Sequence, residues 1–278
     1  MIQLHQVCFS YGNKKVYDSF TMSLQKGSIY GLLGKNGTGK STFLKLLAGL
    51  IFPDKGTISV GAFSPKNRHP DFFKDIYLIP EEFNLPDVKI DALLKYYAPF
   101  YPKFDKMKFD YYIKEFEVPI QHTFSQMSLG QKKKAIISFG LSCNTSLLLM
   151  DEPTNGLDII SKAQFKQVMK HTHNPEQCII VSTHQAKDLE SLITRVCIID
   201  EQGMILDKNV EEIIHKLQFK FSQDAEEIER AAYVEDYMNH TKLIILPIHT
   251  PVLDNKLDLE MLFKAVVTNK QFIQQHLQ

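Results

Sequence analysis

Residues 31–42 read GLLGKNGTGKST: Gly31, Gly34, Gly37 and Gly39, then Lys40, then the hydroxyl residues Ser41 and Thr42. The run before it, SIYGLL, is β-like, and the run after it, TFLKLLAGL, is amphipathic. Glycine is costly in backbone entropy, so such a cluster needs a reason. A bare backbone at a strand-to-helix junction supplies one. Successive N–H groups can curl around phosphate oxygens, and the next helix aims the partial positive charge of its N-terminus at the same anion. Gly34, Gly39, Lys40 and Ser41 fit the G-x-x-x-x-G-K-[ST] spacing of a P-loop, with Asn36 and Gly37 inside it. In that pattern the lysine reaches the β- and γ-phosphates and the hydroxyl of Ser41 ligates Mg²⁺. A dinucleotide loop read from Gly37 and Gly39 would need glycine at Thr42, so that reading fails. The loop alone specifies a nucleoside triphosphate and no chemistry.

The chemistry has to come from elsewhere in the chain. Residues 147–152, LLLMDE, read as a buried strand whose end carries Asp151 and Glu152. Ligands of open α/β sheets bind at the carboxyl ends of strands. There Asp151 can hold Mg²⁺ through its waters, and Glu152 can polarise an attacking water as general base. Residues 178–184, CIIVSTH, form a further apolar strand ending in Ser182, Thr183 and His184, which places His184 as a γ-phosphate contact. In SLGQKKK, residues 128–134, Ser128 is a helix N-cap followed by Gly130 and Gln131. A capped amphipathic helix with a basic face and a second anion-binding helix N-terminus are equally good local readings.

Whole-chain properties exclude several classes. The 278 residues carry 32 basic and 32 acidic side chains, so no global charge marks a nucleic-acid binder. Apolar runs such as SLLLM and LIILPI are strand-length, far short of the roughly 18–20 residues that span a bilayer. The start, MIQLHQVCFSY, alternates like a strand and lacks the pattern of a signal peptide. Cys8, Cys143, Cys178 and Cys197 include no CxxC and are expected to be free, buried thiols of a cytosolic protein.

Taken in order, these pieces resemble the ATP-binding cassette (ABC) ATPases, over residues 1 to about 215. GKNGTGKST is similar to the family's Walker A motif, LLLMDE to Walker B, MSLGQ (127–131) to the signature, NGLD (ending at Asp158) to the D-loop and STH to the switch histidine. Tyr11 stands where the family stacks an aromatic ring on adenine. The resemblance implies an α/β P-loop ABC fold with an antiparallel β subdomain and a helical insert at about 82–142. It implies ATP and Mg²⁺, with catalysis by Glu152, His184 and Lys40, and a metal shell from Ser41, Asp151 and Glu81. It also implies a head-to-tail dimer in which Ser128 and Gly130 contact the γ-phosphate on the partner's P-loop, with Asp158 at the seam. No second P-loop is present in the chain, so a second ATPase subunit is required.

Met127 and Leu129 depart from the Leu and Gly usual in the signature, and Glu81 in YLIPEE stands where many members have Gln. A carboxylate there can still bind Mg²⁺ or water. YLIPEE and the aromatic segment YYAPFYPKFD (96–105) are similar to ABC-2 exporters, whose membrane subunits are separate chains. The expected function is thus the ATPase subunit of an exporter, peripheral on the cytoplasmic face of the membrane through a separate transmembrane permease. The alternative is a soluble ABC ATPase of translation or DNA maintenance. A single cassette, no sustained heptads and neutral charge weigh against it, and no nucleic acid is expected as a partner. A catalytically silent subunit, suggested by Met127, Leu129 and Glu81, is opposed by Glu152 and His184.

The coarse pattern is β-rich to about residue 35, a helix at 41–49, a second β segment to 80, and helical material at 89–142 broken by Pro99, Pro102 and Pro119. Strands then alternate with helices at 160–171 and 185–192, predicting a mostly parallel sheet, and EQGM predicts a hairpin. Residues 1–216 are expected to form the ATP-binding domain and 217–278 a small α+β extension that stabilises the fold or makes a dimer contact, with a regulatory role as the other reading.

Overall fold

A computed structural model describes residues 1–172, 174–201, 203–238, 240–250 and 252–277. The chain begins with β1 (Ile2–Tyr11), β2 (Lys14–Leu24) and β3 (Ile29–Leu33), then α1 (Lys40–Leu47), β4 (Lys55–Val60), α2 (Pro70–Phe73) and β5 (Ile76–Ile79). Three helices follow, α3 (Ile90–Tyr97), α4 (Lys106–Glu115) and α5 (Leu129–Ser142). Next come β6 (Leu147–Asp151), α6 (Ile159–Lys170), β7 (Cys178–Thr183), α7 (Ala186–Leu189), β8 (Arg195–Asp200), β9 (Gly203–Asn209) and α8 (Val210–Lys216). The chain closes with β10 (Leu217–Ser222), α9 (Ala225–Arg230), β11 (Tyr233–Asp236), β12 (Lys242–Pro247), α10 (Leu259–Thr268) and α11 (Lys270–His276).

Strand order in the central six-stranded sheet is β5-β6-β7-β3-β8-β9, parallel except for the β8–β9 hairpin. That order decides where the chemistry sits. The carboxyl ends of β3, β7 and β6 are neighbours, so the P-loop, the Ser-Thr-His segment and the Asp-Glu pair emerge side by side. Leu33 is in register with Thr183, and Ser182 with Asp151.

Both faces of a parallel sheet must be covered, and alternate side chains supply the two covers. Tyr30, Leu32, Leu149 and Ile180 pack on one side with α1 and the antiparallel sheet β2-β1-β4. Leu33, Met150, Val181 and Ile198 pack on the other with the α3–α6 region. The same second core contains Leu217, Ile245, Leu262 and Phe272 from the chain's last segment, which carries its own antiparallel sheet, β10-β12-β11.

The elements expected from the sequence are present, with differences at their ends. The P-loop helix starts at Lys40 and stops at Leu47. The helix expected at 185–192 is the single turn α7, because the backbone turns back at once: Leu192 N–H donates to Leu189 at 2.8 Å, and Leu189, Leu192 and Ile193 all bury. The EQGM hairpin is closed by the Asp200–Gly203 pair, with Gln202 outside the described residues. All four cysteines are free; Cys143, Cys178 and Cys197 are buried, and Cys8 is half-buried. Burial pushes the Cys178 thiol up to about 12. Among the described residues no helix is long and apolar enough to cross a membrane.

Candidate nucleotide site

The glycines of the loop are fixed by the loop's own packing. A Cβ on Gly34 would stand 2.5 Å from Thr38 Oγ1 and 2.7 Å from the Ile199 carbonyl. On Gly39, whose φ is +104°, it would stand 2.8 Å from the Tyr17 hydroxyl and from Val16 Cγ1. Gly37 has open space but a φ of +83°, a left-handed conformation that side chains resist. Room for phosphate is therefore one reason among three: close approach, backbone handedness and ligand access. The Tyr17 hydroxyl donates to the Gly39 carbonyl at 2.8 Å, tying β2 to the start of α1.

Lys40 is buried, and its Nζ donates to the carbonyls of Gly34 (2.8 Å) and Lys35 (3.2 Å). Desolvation lowers its pKa, opposed by the nearby carboxylates of Glu152, Asp151 and Glu81. Tyr11, Asn36, Gly37, Gly39, Lys40, Ser41, Thr42, Glu81 and Glu152 line one open cleft of about 340 Å³, joined by Lys14 and Val16. Tyr11 is half exposed and makes an edge contact with Phe9 at 4.8 Å, leaving a face for a stacked ring. Thus most of the residues expected to bind nucleotide converge. Gly34, Asp151 and His184 do not line the cleft.

The acidic end of β6 is tightly held. Asp151, buried, accepts a short hydrogen bond from the Ser182 hydroxyl. Glu152 has a φ of +45°, rare for a residue with a side chain. Its two carboxylate oxygens are both engaged: Thr183 Oγ1 donates to Oε2 at 3.0 Å, and His184 Nδ1 lies 2.8 Å from Oε1. Glu81 accepts from Asn155 Nδ2 at 2.8 Å, so the loop after β5 is pinned to the turn after β6.

Ser128 and Gly130 do not line this cleft. Ser128 caps α5 in a reciprocal box: its Oγ accepts from Gln131 N–H at 3.2 Å, and its own N–H donates to Gln131 Oε1 at 2.9 Å. The two departures in this stretch have separate fates. Met127 is a buried core residue, a volume-conserving replacement for leucine. Leu129 is 61% exposed and lies over Gly156. Asp158 caps α6 through Ser161 N–H at 2.7 Å and is followed by Ile159 and Ile160, both strongly exposed.

Besides Lys14, Val16 and Ser182, three residues of the site were not foreseen from the sequence. Thr183 grips Glu152, Asn155 grips Glu81, and Lys133 donates to the main-chain carbonyls of Glu152 (3.1 Å) and Asn155 (2.8 Å). Thr183 and Asn155 lay within motifs already quoted. Lys133 sat in a run of three lysines, and only the helical phase of α5 tells which of them turns inward.

The donors expected for the metal, Ser41, Asp151 and Glu81, are all oxygen, which suits Mg²⁺. Among the described residues no group of three or more His, Cys, Asp or Glu could chelate a metal ion. Mg²⁺ typically takes one or two protein oxygens plus substrate phosphates, so this set fits an ion that arrives with a nucleotide.

A model of the ABC transporter family matches residues 17–155, and a curated ABC transporter ATP-binding protein, YtrB of Bacillus subtilis, is 30% identical over 230 residues, 81% of this chain and 78% of that one. The chain belongs to the ABC transporter family. As an ABC subunit it binds and hydrolyses ATP in the service of transport. Subunits of this kind dimerise and work with membrane-spanning partners. A second relative, the bacitracin transport ATP-binding protein BcrA of Enterococcus faecalis, is 28% identical over 80% of this chain and 73% of its own. Among solved structures, an ATP-binding subunit of an ABC transporter superposes with a TM-score of 0.68 at 22% identity, covering 76% of this chain and 91% of that one. A dimeric ATP-binding cassette bound to ADP and Pi gives a TM-score of 0.65 at 19% identity, covering 75% and 98%. These two likenesses show the ABC fold.

Proposed function

We propose that this ABC subunit powers export through a separate permease, with Glu152 as the residue that activates water. The observation that carries the reading is the Glu152 carboxylate, seated by Thr183 and His184 at the wall of the P-loop cleft. Adenine stacks on Tyr11, and the phosphates lie along Asn36, Gly37, Gly39 and Thr42. Lys40 leaves the carbonyls of Gly34 and Lys35 for the β- and γ-phosphates, a stronger, charge-assisted pairing. Ser41, Asp151 and Glu81 would hold Mg²⁺, which when bound neutralises charge on the phosphates. Glu152 orients the attacking water and takes its proton, while His184 holds Glu152 in place and reaches the γ-phosphate. Ser128 and Gly130 lie outside the lining of their own cleft, which supports their use on the nucleotide of a second subunit, with Asp158 and the exposed Ile159 at the seam.

Export is favoured by relatives named for bacitracin transport and for Nod factor export. A permease partner would hold the subunit at the cytoplasmic face of the membrane. Residues 217–278 serve as a stabilising extension of the 1–216 ATPase domain.

The test is Glu152→Gln. It keeps ATP binding, loses most turnover (about a hundredfold or more, the range of a lost general base) and accumulates an ATP-bound dimer on a sizing column. Unchanged turnover removes Glu152 from the role.

A further inference from the structure

Lys133 is 2% exposed and sits on the inner face of α5, one turn beyond the Ser128 cap. A buried ammonium is expensive unless its donors are met by acceptors. Here the acceptors are main-chain carbonyls, those of Glu152 at 3.1 Å and Asn155 at 2.8 Å. The Glu152 carbonyl also accepts Asn155 N–H at 3.1 Å, closing a turn, and Glu152 N–H is held by the Ser182 carbonyl at 3.1 Å. Glu152, the first residue of this turn, has the left-handed φ of +45°. Such a conformation persists only where the surroundings over-determine it. The same ammonium also feels the charge of the Glu81, Glu152 and Asp151 carboxylates, which offsets part of the cost of its burial.

We infer that Lys133 is a positioning residue for hydrolysis: by clamping the carbonyls of Glu152 and Asn155 it holds the Glu152 turn, and so the carboxylate, at the geometry needed to address the attacking water. The inference rests on the reading of Glu152 as the water-activating group. Lys133 does not itself line the cleft and meets the lining only at the main-chain carbonyl of Glu152, so its effect falls on turnover and not on nucleotide affinity. It also joins two parts of the cassette that the sequence keeps apart. The helix that starts at Ser128 carries the clamp for the turn that carries Glu152. Asn155, the clamp's second carbonyl, uses its side chain to hold Glu81, so the turn that Lys133 clamps also pins the loop after β5.

The experiment compares the native protein with Lys133→Met, Lys133→Arg and Glu152→Gln. Lys133→Met lowers kcat about ten- to a hundredfold, the effect of a misplaced catalytic group, with KM and ATP affinity within about twofold. Amide exchange at Asn155 and Leu157 quickens in the same variant, because the turn has lost its clamp. A merely structural lysine would lower the melting temperature and leave kcat per folded molecule and local exchange alone; that result overturns the inference. Lys133→Arg keeps a charged donor and retains more than about a third of native kcat. If Lys133→Met does not fold, Lys133→Arg decides: kcat under about a tenth of native with native exchange at Asn155 overturns the clamp. Glu152→Gln separates the two claims. Full turnover there removes the base itself, whereas lost turnover there beside native turnover in Lys133→Met removes only the role of Lys133.

Discussion

Lys40 shows how a single side chain is stored in a ready state. It is buried and desolvated, yet its donors are satisfied by the carbonyls of Gly34 and Lys35; under the proposed function an incoming phosphate would exchange neutral acceptors for charged ones. Lys40→Ala should weaken ATP binding by about 1.5–3 kcal/mol, the worth of a hydrogen bond to a charged group, which is roughly ten- to 150-fold in Kd. A titration with a fluorescent ATP analogue reads this directly, and equal affinity would contradict the cradle. Individual residues were legible in the sequence where the chemistry is local. Gly34, Gly39, Lys40 and Ser41 are fixed by spacing, because one loop has to do the whole task. Tyr17 and Lys133 were not legible, since what they grip is 22 and 19 positions away in the chain. Nor could spacing tell that Gly34 and Gly39 are held by Thr38, Ile199, Tyr17 and Val16 as firmly as by any ligand.

Helix α5 carries two jobs on one element, a capped start and a buried clamp. Ser128→Ala removes the reciprocal cap and should cost about 1 kcal/mol, a fall of about 2–4 °C in Tm for a chain of this size. ATP affinity of the isolated subunit should not change, since Ser128 lies outside its own cleft, while turnover of the assembled transporter falls. Scanning calorimetry and a binding titration together check both halves. At this level the sequence was a good guide to which elements exist and a poorer one to where they stop. The prolines at 99, 102 and 119 correctly divided the helical region, because proline cannot donate to an i−4 carbonyl. The short α7 was overestimated because AKDLESL continues a helical pattern that the tight turn into β8 overrides. The aromatic stretch 96–105 splits in two. Tyr101 and Phe104 pack against Phe139, whereas Tyr96 and Phe100 are exposed.

Across the molecule, the last segment is less separate than its lack of motifs suggested. Leu262 and Phe272 are buried in the core that also holds Leu189 and Ile198, and α10 packs against α7, just past His184. Phe272→Ala should destabilise by about 3–5 kcal/mol. Unfolding should remain a single transition that moves down in temperature; two separated transitions would show an independent extension. The parallel sense of β6, β7 and β3 was predictable from alternating strands and helices, but neither their order nor the attachment of the last segment to the far face was. An amphipathic helix announces that it has an apolar side, never which surface receives it. The buried thiols add one more consequence. Cys178 and Cys197 sit on the two strands that flank β3, and Cys143 ends α5. None can meet an alkylating reagent while the sheet is shut. Labelling rates, followed thiol by thiol with and without ATP, therefore serve as a clock for breathing of the cassette, and the order of reaction tells which seam parts first.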